Sequence, residues 1–137
     1  VGLILDSSVL IAGERRGRTV KQIIQQIQAS FGDIESAVSA ISMVELNHGV
    51  YRARTREQSD RRRAFVDELG RDLLVYPVTT EIALRAGRIE GEQAALGSVI
   101  AFEDLVIGAT ALHLSYDVAT LNTKHFRRIP GLNVVTV

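Results

Sequence analysis

Three acids stand far apart in the sequence, each where an element changes. Asp6 ends the apolar run Gly2-Leu3-Ile4-Leu5. Glu45 follows Ser42 by three residues, in Ser-Met-Val-Glu. Asp104, with Glu103 beside it, opens the apolar stretch Asp-Leu-Val-Ile-Gly-Ala-Thr-Ala-Leu. Asn122, a neutral oxygen donor, follows Val118-Ala119-Thr120-Leu121. Each has an ordinary structural explanation. Asp6 can cap the helix that follows. Ser42 and Glu45 have the spacing of a capping box. Acids suit a helix N-terminus, which accounts for one of Glu103 and Asp104 more easily than for two. Asn122 suits a turn. Brought to one place, however, the three acids would repel and raise one another's pKa. A cation among them would offset that cost. With only oxygen donors and no Cys, the fitting ion is hard, Mg²⁺ or Mn²⁺. Such an ion activates water and screens charge at a phosphate.

The elements that must position these acids are legible as alternating short apolar runs and helical patterns. Residues 2–6 read as a buried strand, with Ser7 or Ser8 capping the next turn and Gly17 closing it. Thr19 starts a helix whose face is Val20, Ile23, Ile24, Ile27 and Phe31, and Gly32 ends it. Residues 37–41 read as a strand, and Ser42 begins a helix to about Arg54. Thr55 starts a charged helix to about Leu69, closed by Gly70. Residues 73–78 read as a strand, with Pro77 marking its end or an edge. Thr80 caps a helix to about Leu96, and residues 97–102 form a loop. Residues 104–114 form a buried helix, 118–121 a strand, 122–131 a turn or short helix, and 133–137 a last strand. This alternation predicts an α/β fold, a parallel sheet covered on both faces. Ligands in such folds bind beyond the carboxyl ends of the strands, the edge where Asp6, Glu45, Asp104 and Asn122 all fall. Asp117 precedes its strand and belongs at the opposite edge.

The 137 residues read as one domain over 1–137. Hydrophobic residues are 46% and charged residues 23%, which excludes general disorder. No apolar run reaches the roughly 18 residues of a membrane span, and no signal-peptide pattern is present. The absence of Cys fits a cytoplasmic protein. The chain opens at Val1 in an apolar run, so a few leading residues are expected before it. Its 16 Lys and Arg balance its 16 Asp and Glu, but the balance is not local. Residues 47–63 carry six Arg and two acids, residues 81–117 six acids and two Arg, and residues 118–137 three cations and no acid.

Four stretches in order carry a family resemblance: residues 5–11 (Leu-Asp-Ser-Ser-Val-Leu-Ile), 42–49 (Ser-Met-Val-Glu-Leu-Asn-His-Gly), 104–111 (Asp-Leu-Val-Ile-Gly-Ala-Thr-Ala) and 118–132. The chain resembles the PIN-domain ribonucleases, most closely the VapC-type toxins of bacterial toxin–antitoxin pairs. The resemblance implies a three-layer α/β/α sandwich with four or five parallel strands. It implies Mg²⁺- or Mn²⁺-dependent endonucleolytic cleavage of RNA, leaving a 5′-phosphate and a 3′-hydroxyl. Asp6, Glu45 and Asp104 correspond to the family's acidic ligands. Asn122 falls where many members carry a fourth acid; it can offer an oxygen but no charge. Ser7 and Thr120 correspond to flanking hydroxyls. Glu103, Glu90 and Glu92 receive no role. A cognate antitoxin, whose C-terminal segment lies in the groove, and a homodimer are implied as partners.

Arg52, Arg54, Arg56, Arg61, Arg62 and Arg63 admit two readings. They can form solvated helix faces with pairs such as Glu57–Arg61, or a rim that tracks phosphates beside the acids. Lys124, Arg127 and Arg128 can reach the same mouth. His48 and His113 read as packed or surface residues, and His125 as structural with a possible substrate contact. With four Phe, three Tyr and no Trp, base-stacking platforms are not indicated. Two alternatives stay open: a PIN nuclease of RNA processing, and a non-catalytic binding module, which Asn122 motivates. A haloacid-dehalogenase phosphatase is set aside, because Ser8 stands where its second Asp is needed.

Overall fold

A computed structural model describes residues 1–137. Five strands form one parallel sheet: β1 (Gly2–Leu5), β2 (Glu35–Ser39), β3 (Leu74–Tyr76), β4 (Asp117–Thr120) and β5 (Val134–Thr136). Seven helices intervene: α1 (Ser7–Arg15), α2 (Val20–Phe31), α3 (Ala40–Tyr51), α4 (Arg56–Asp72), α5 (Thr80–Ala95), α6 (Phe102–Leu114) and α7 (Thr123–Phe126). None is long and apolar enough to cross a membrane.

The two-residue period of a strand explains the layers. Leu3, Leu5, Val38 and Ala119 face one side, where they meet Leu10 of α1, Ile23 and Ile27 of α2, Leu46 of α3 and Leu69 of α4. Ile4, Ala37 and Val118 face the other, against Ile82 of α5, Ile107 of α6 and Phe126 of α7. The result is the expected α/β/α sandwich, with five strands. On the second face α6 admits Ile129 closely, because a Cβ at Gly108 would lie 2.5 Å from that side chain's Cδ1.

The sheet order is β3-β2-β1-β4-β5. The chain builds outward from β1 through β2 to β3, then returns to the other side of β1 for β4 and β5. The direction reverses between β1 and β4, whose carboxyl ends therefore flank a crevice. Asp6 follows β1 and Thr120 ends β4 at that crevice, tied by the Asp6 N–H to Ala119 O bond of 2.9 Å.

Several boundaries differ from expectation. The second strand ends at Ser39, and α3 starts at Ala40. Ser39 is the cap, its Oγ accepting the Ile41 N–H at 3.2 Å. Ser42 lies inside the helix, fully buried, and its Oγ has no partner. Glu45 is thus in the second turn and belongs to no capping box. Two serines three residues apart competed for the cap, and Ala40 and Ile41 were apolar enough to be helix. Likewise α4 runs through Gly70, because Leu69 and Leu73, one turn apart, are both buried and carry the apolar stripe past it. Thr79, not Thr80, caps α5. The edge position of β3, with Pro77 just beyond it, is as expected.

The serine pair gives a stability test. Ser39→Ala is expected to cost about 1 kcal/mol, the usual loss of a cap. Ser42→Ala is expected to be neutral or stabilising by up to about 1 kcal/mol, since it removes an unsatisfied buried hydroxyl. Urea unfolding of the two variants checks this; a loss at Ser42 equal to that at Ser39 would restore the capping box.

Candidate active site

Asp6 occupies the N-cap position of α1, yet its carboxylate makes no cap bond. It is held by hydroxyls instead. Ser8 Oγ and Thr120 Oγ1 each lie 2.8 Å from Asp6 Oδ2. Both hydroxyls are oriented by backbone donors: the Leu121 N–H donates to Ser8 Oγ at 3.2 Å, and the Asn122 N–H to Thr120 Oγ1 at 2.9 Å. With their lone pairs engaged, each turns its proton to the same carboxylate oxygen. Oδ2 is fixed, and Oδ1 is left with only Ser7 Oγ, at 3.5 Å.

Ser7 Oγ stands among three acids. Besides Asp6 Oδ1 it lies 3.1 Å from Glu45 Oε2 and 3.2 Å from Glu103 Oε1. A hydroxyl carries one proton, so it serves one of the three at a time. The pKa of Glu103 is pushed up to about 7 by burial, then by the charge of Glu45 and hydrogen bonding with it. Asp104, next along α6, is pushed up to about 6, chiefly by burial and by the charge of Asp6, against a lowering by His125. His125 Nδ1 is 3.5 Å from Asp104 Oδ2. No Lys or Arg pairs with any carboxylate of the protein: the ion pairs are His125–Asp104 and His113–Glu81. Glu57 and Arg61 therefore form no ion pair.

The structure thus brings Asp6, Glu45 and Asp104 into one electrostatic cluster at the sheet's carboxyl edge. Asn122 joins it through its backbone only, and its exposed amide bonds to none of the acids. Two further members join through the fold. Glu103 has one signal in the sequence, a second acid in the first turn of a buried helix. Ser8, a candidate cap by position, supports Asp6 instead. Glu90 and Glu92, on α5, make no contact with the cluster's hydroxyls or acids. Asp117 begins β4, opposite Leu3, away from the crevice.

The donor set fits a hard divalent cation: carboxylates and hydroxyls, with no Lys or Arg within ion-pair distance of them. In the conformation described, no three acidic or His side chains converge closely enough to hold an ion together. Ser7 Oγ stands among the oxygens an ion would use.

The cluster lies between two clefts. One is bounded by Glu45 with Arg15, Arg52 and Arg62, over Ile11 and Phe65. The other is bounded by Asp104 with Lys124, His125 and Arg128. The Arg stretch divides accordingly. Arg62 lines the first cleft and anchors α4 to α3 through Nη1 to Gly49 O at 2.7 Å. Arg63 lies over the Tyr51 ring at 5.6 Å instead. Arg15 reaches the cleft from α1, outside the sequence cluster.

The two raised carboxyls set a pH dependence. The folded chain keeps protons on Glu103 and Asp104 that the unfolded chain releases near its ordinary carboxyl range. Their contribution to stability is whole below about pH 4 and is lost as pH rises through about 6 and 7. Without added metal, Glu103→Gln is expected to melt with the wild type at pH 4.5 and above it at pH 8. Thermal unfolding across pH checks the sign; a variant that is less stable than wild type at pH 8 contradicts it.

The PIN domain family model matches residues 3–132. The chain is 33% identical over 137 residues to Ribonuclease VapC1 of Rickettsia felis, covering 100% of this chain and 97% of that protein. It superposes on the crystal structure of VapBC2 from Rickettsia felis bound to a promoter DNA fragment with a TM-score of 0.85 at 19% identity, covering 100% and 99% of the two chains. VapBC-5 of Mycobacterium tuberculosis, of the VapBC family of toxin–antitoxin systems, gives a TM-score of 0.73 at 26% identity, over 99% and 96%.

Proposed function

Because the chain belongs to the PIN-domain family, we propose that it is the VapC-type toxin of a type II toxin–antitoxin pair, an endoribonuclease that hydrolyses RNA phosphodiester bonds. What supports the reading at the level of residues is one observation. Acids from three distant segments meet at the switch point of the sheet with no Lys or Arg to compensate them.

Asp6, Glu45 and Asp104 would hold Mg²⁺ or Mn²⁺, which when bound supplies an acidified water and screens charge at the phosphate. The chain's own groups do the rest. Ser8 and Thr120 hold Asp6 Oδ2, so that Oδ1 faces the cluster without rotamer search. Ser7 Oγ gives its proton to whichever acid is left charged. Glu103 holds a proton near neutral pH and can donate it to Glu45. Asn122 offers a neutral oxygen at the mouth. Cationic side chains on both sides attract the phosphate backbone, whose binding is mainly electrostatic.

The partner is a cognate antitoxin. The first cleft suits a peptide: Arg15, Arg52 and Arg62 can take acidic groups while the half-buried Ile11 and Val66 take apolar ones. The reading places the protein in the cytoplasm with its RNA. Two experiments test it. Purified protein with Mg²⁺ is expected to cut total RNA at internal sites. Expression alone is expected to arrest growth, with relief by a neighbouring gene product. Intact RNA under these conditions would sink the nuclease reading, and unarrested growth the toxin reading.

A further inference from the structure

On the Asp104 side of the acids, α7 and the segment joining α5 to α6 enclose the second cleft. Lys124 and Arg128 line it; Arg127, between them in sequence, does not. Neither Lys124 nor Arg128 has a carboxylate partner. Arg128 Nη1 donates to Val99 O at 3.2 Å, which draws the guanidinium to the cleft wall and leaves its other N–H groups without a protein partner. A planar fork held this way is prepared for phosphate oxygens.

We infer that this cleft holds a second phosphate of the RNA strand, next along from the one cut at the acids. The inference rests on the nuclease reading above and adds a subsite to it. Three observations favour it. The cleft shares Asp104 with the reaction centre, so a strand lying across the acids enters it directly. Its one ring is the exposed imidazole of His125, set between two cations, so contact with the strand's backbone is the mode its lining suits. Its charged lining is two cations, Lys124 and Arg128, against the one carboxylate of Asp104, a surplus that suits an anion.

The test uses the intact chain and a single-stranded RNA it cleaves, with steady-state kinetics over a salt series. Lys124→Gln with Arg128→Gln is expected to raise KM about tenfold at low salt and to leave kcat within about twofold. The slope of log kcat/KM against log salt is expected to become shallower by about 1.4, two single-strand contacts at about 0.7 each. Lys124→Arg with Arg128→Lys, which keeps both charges but loses the fork, is expected to restore the slope and only part of the KM, and Arg127→Gln to change neither. Wild-type KM and slope in the double Gln variant overturn the inference. So does an Arg127→Gln effect of equal size, which marks a diffuse field and not a subsite. Unchanged RNA kinetics with weakened inhibition by the neighbouring gene product also overturns it and gives the cleft to a peptide. A wild type that cleaves no RNA overturns the nuclease reading and the subsite together.

Discussion

Asp104→Asn is expected to lower RNA cleavage by about 10³-fold or more while the variant melts at or above the wild-type temperature. The rate loss follows from the role proposed for Asp104: removing one charged ligand loses several kcal/mol of transition-state stabilisation, and each ~1.4 kcal/mol is tenfold. The stability gain follows from what surrounds it. Asp104 is raised to about 6 by burial and by Asp6, so above that pH its charge works against the fold. A neutral amide of the same shape removes the repulsion. His125 loses a partner at 3.5 Å, but it is exposed, and exposed pairs contribute about 0–1 kcal/mol. Activity and stability should therefore move in opposite directions, the pattern of a site kept for function at the expense of the fold. Cleavage kinetics and thermal unfolding on one preparation check both. A folded Asp104→Asn variant that cuts like wild type removes Asp104 from the site.

Phe126→Ala is expected to cost about 3–5 kcal/mol, the range for a fully buried aromatic. Phe126 is 0% exposed and packs in the core between the sheet and α6. It sits at the end of α7, a single turn that packing must hold in place. The consequence reaches the site, because α7 carries Lys124 and His125 and follows Asn122. Against a typical total of about 5–15 kcal/mol, such a loss leaves little margin. Urea unfolding measures it, and a loss below about 1 kcal/mol would mean that α7 is not packed as described.

Much of this was legible in the sequence. Alternating strand residues such as Leu3, Ile4 and Leu5 announce a sheet buried on both faces, and Thr19, Gly32 and Pro77 mark ends correctly. Asp6, Glu45 and Asp104 were legible from their places at carboxyl ends and from the family resemblance. What escaped depended on distance in space. Ser42 matched the capping pattern as well as Ser39 did, and only burial decides between them. Glu103 had a sufficient explanation in the dipole of α6, and its contact with Ser7 spans 96 positions. The Arg stretch looked uniform, but only the crossing of α1, α3 and α4 separates Arg62, on the cleft, from Arg63, on Tyr51. It also brings in Arg15. Lys124, Arg127 and Arg128 were likewise one group in sequence and two in the fold.

The central claim is that the clustered acids direct water, through a divalent cation, onto an RNA phosphodiester. The most direct measurement is the chemistry of the ends made on a defined RNA, by wild type with Mg²⁺, by wild type with EDTA, and by Asp6→Ala. The expected result is internal cutting with 5′-phosphate and 3′-hydroxyl ends in the first reaction and intact RNA in the other two. Cutting that survives EDTA or Asp6→Ala, or that leaves 2′,3′-cyclic phosphate because the ribose hydroxyl was the nucleophile, would contradict it.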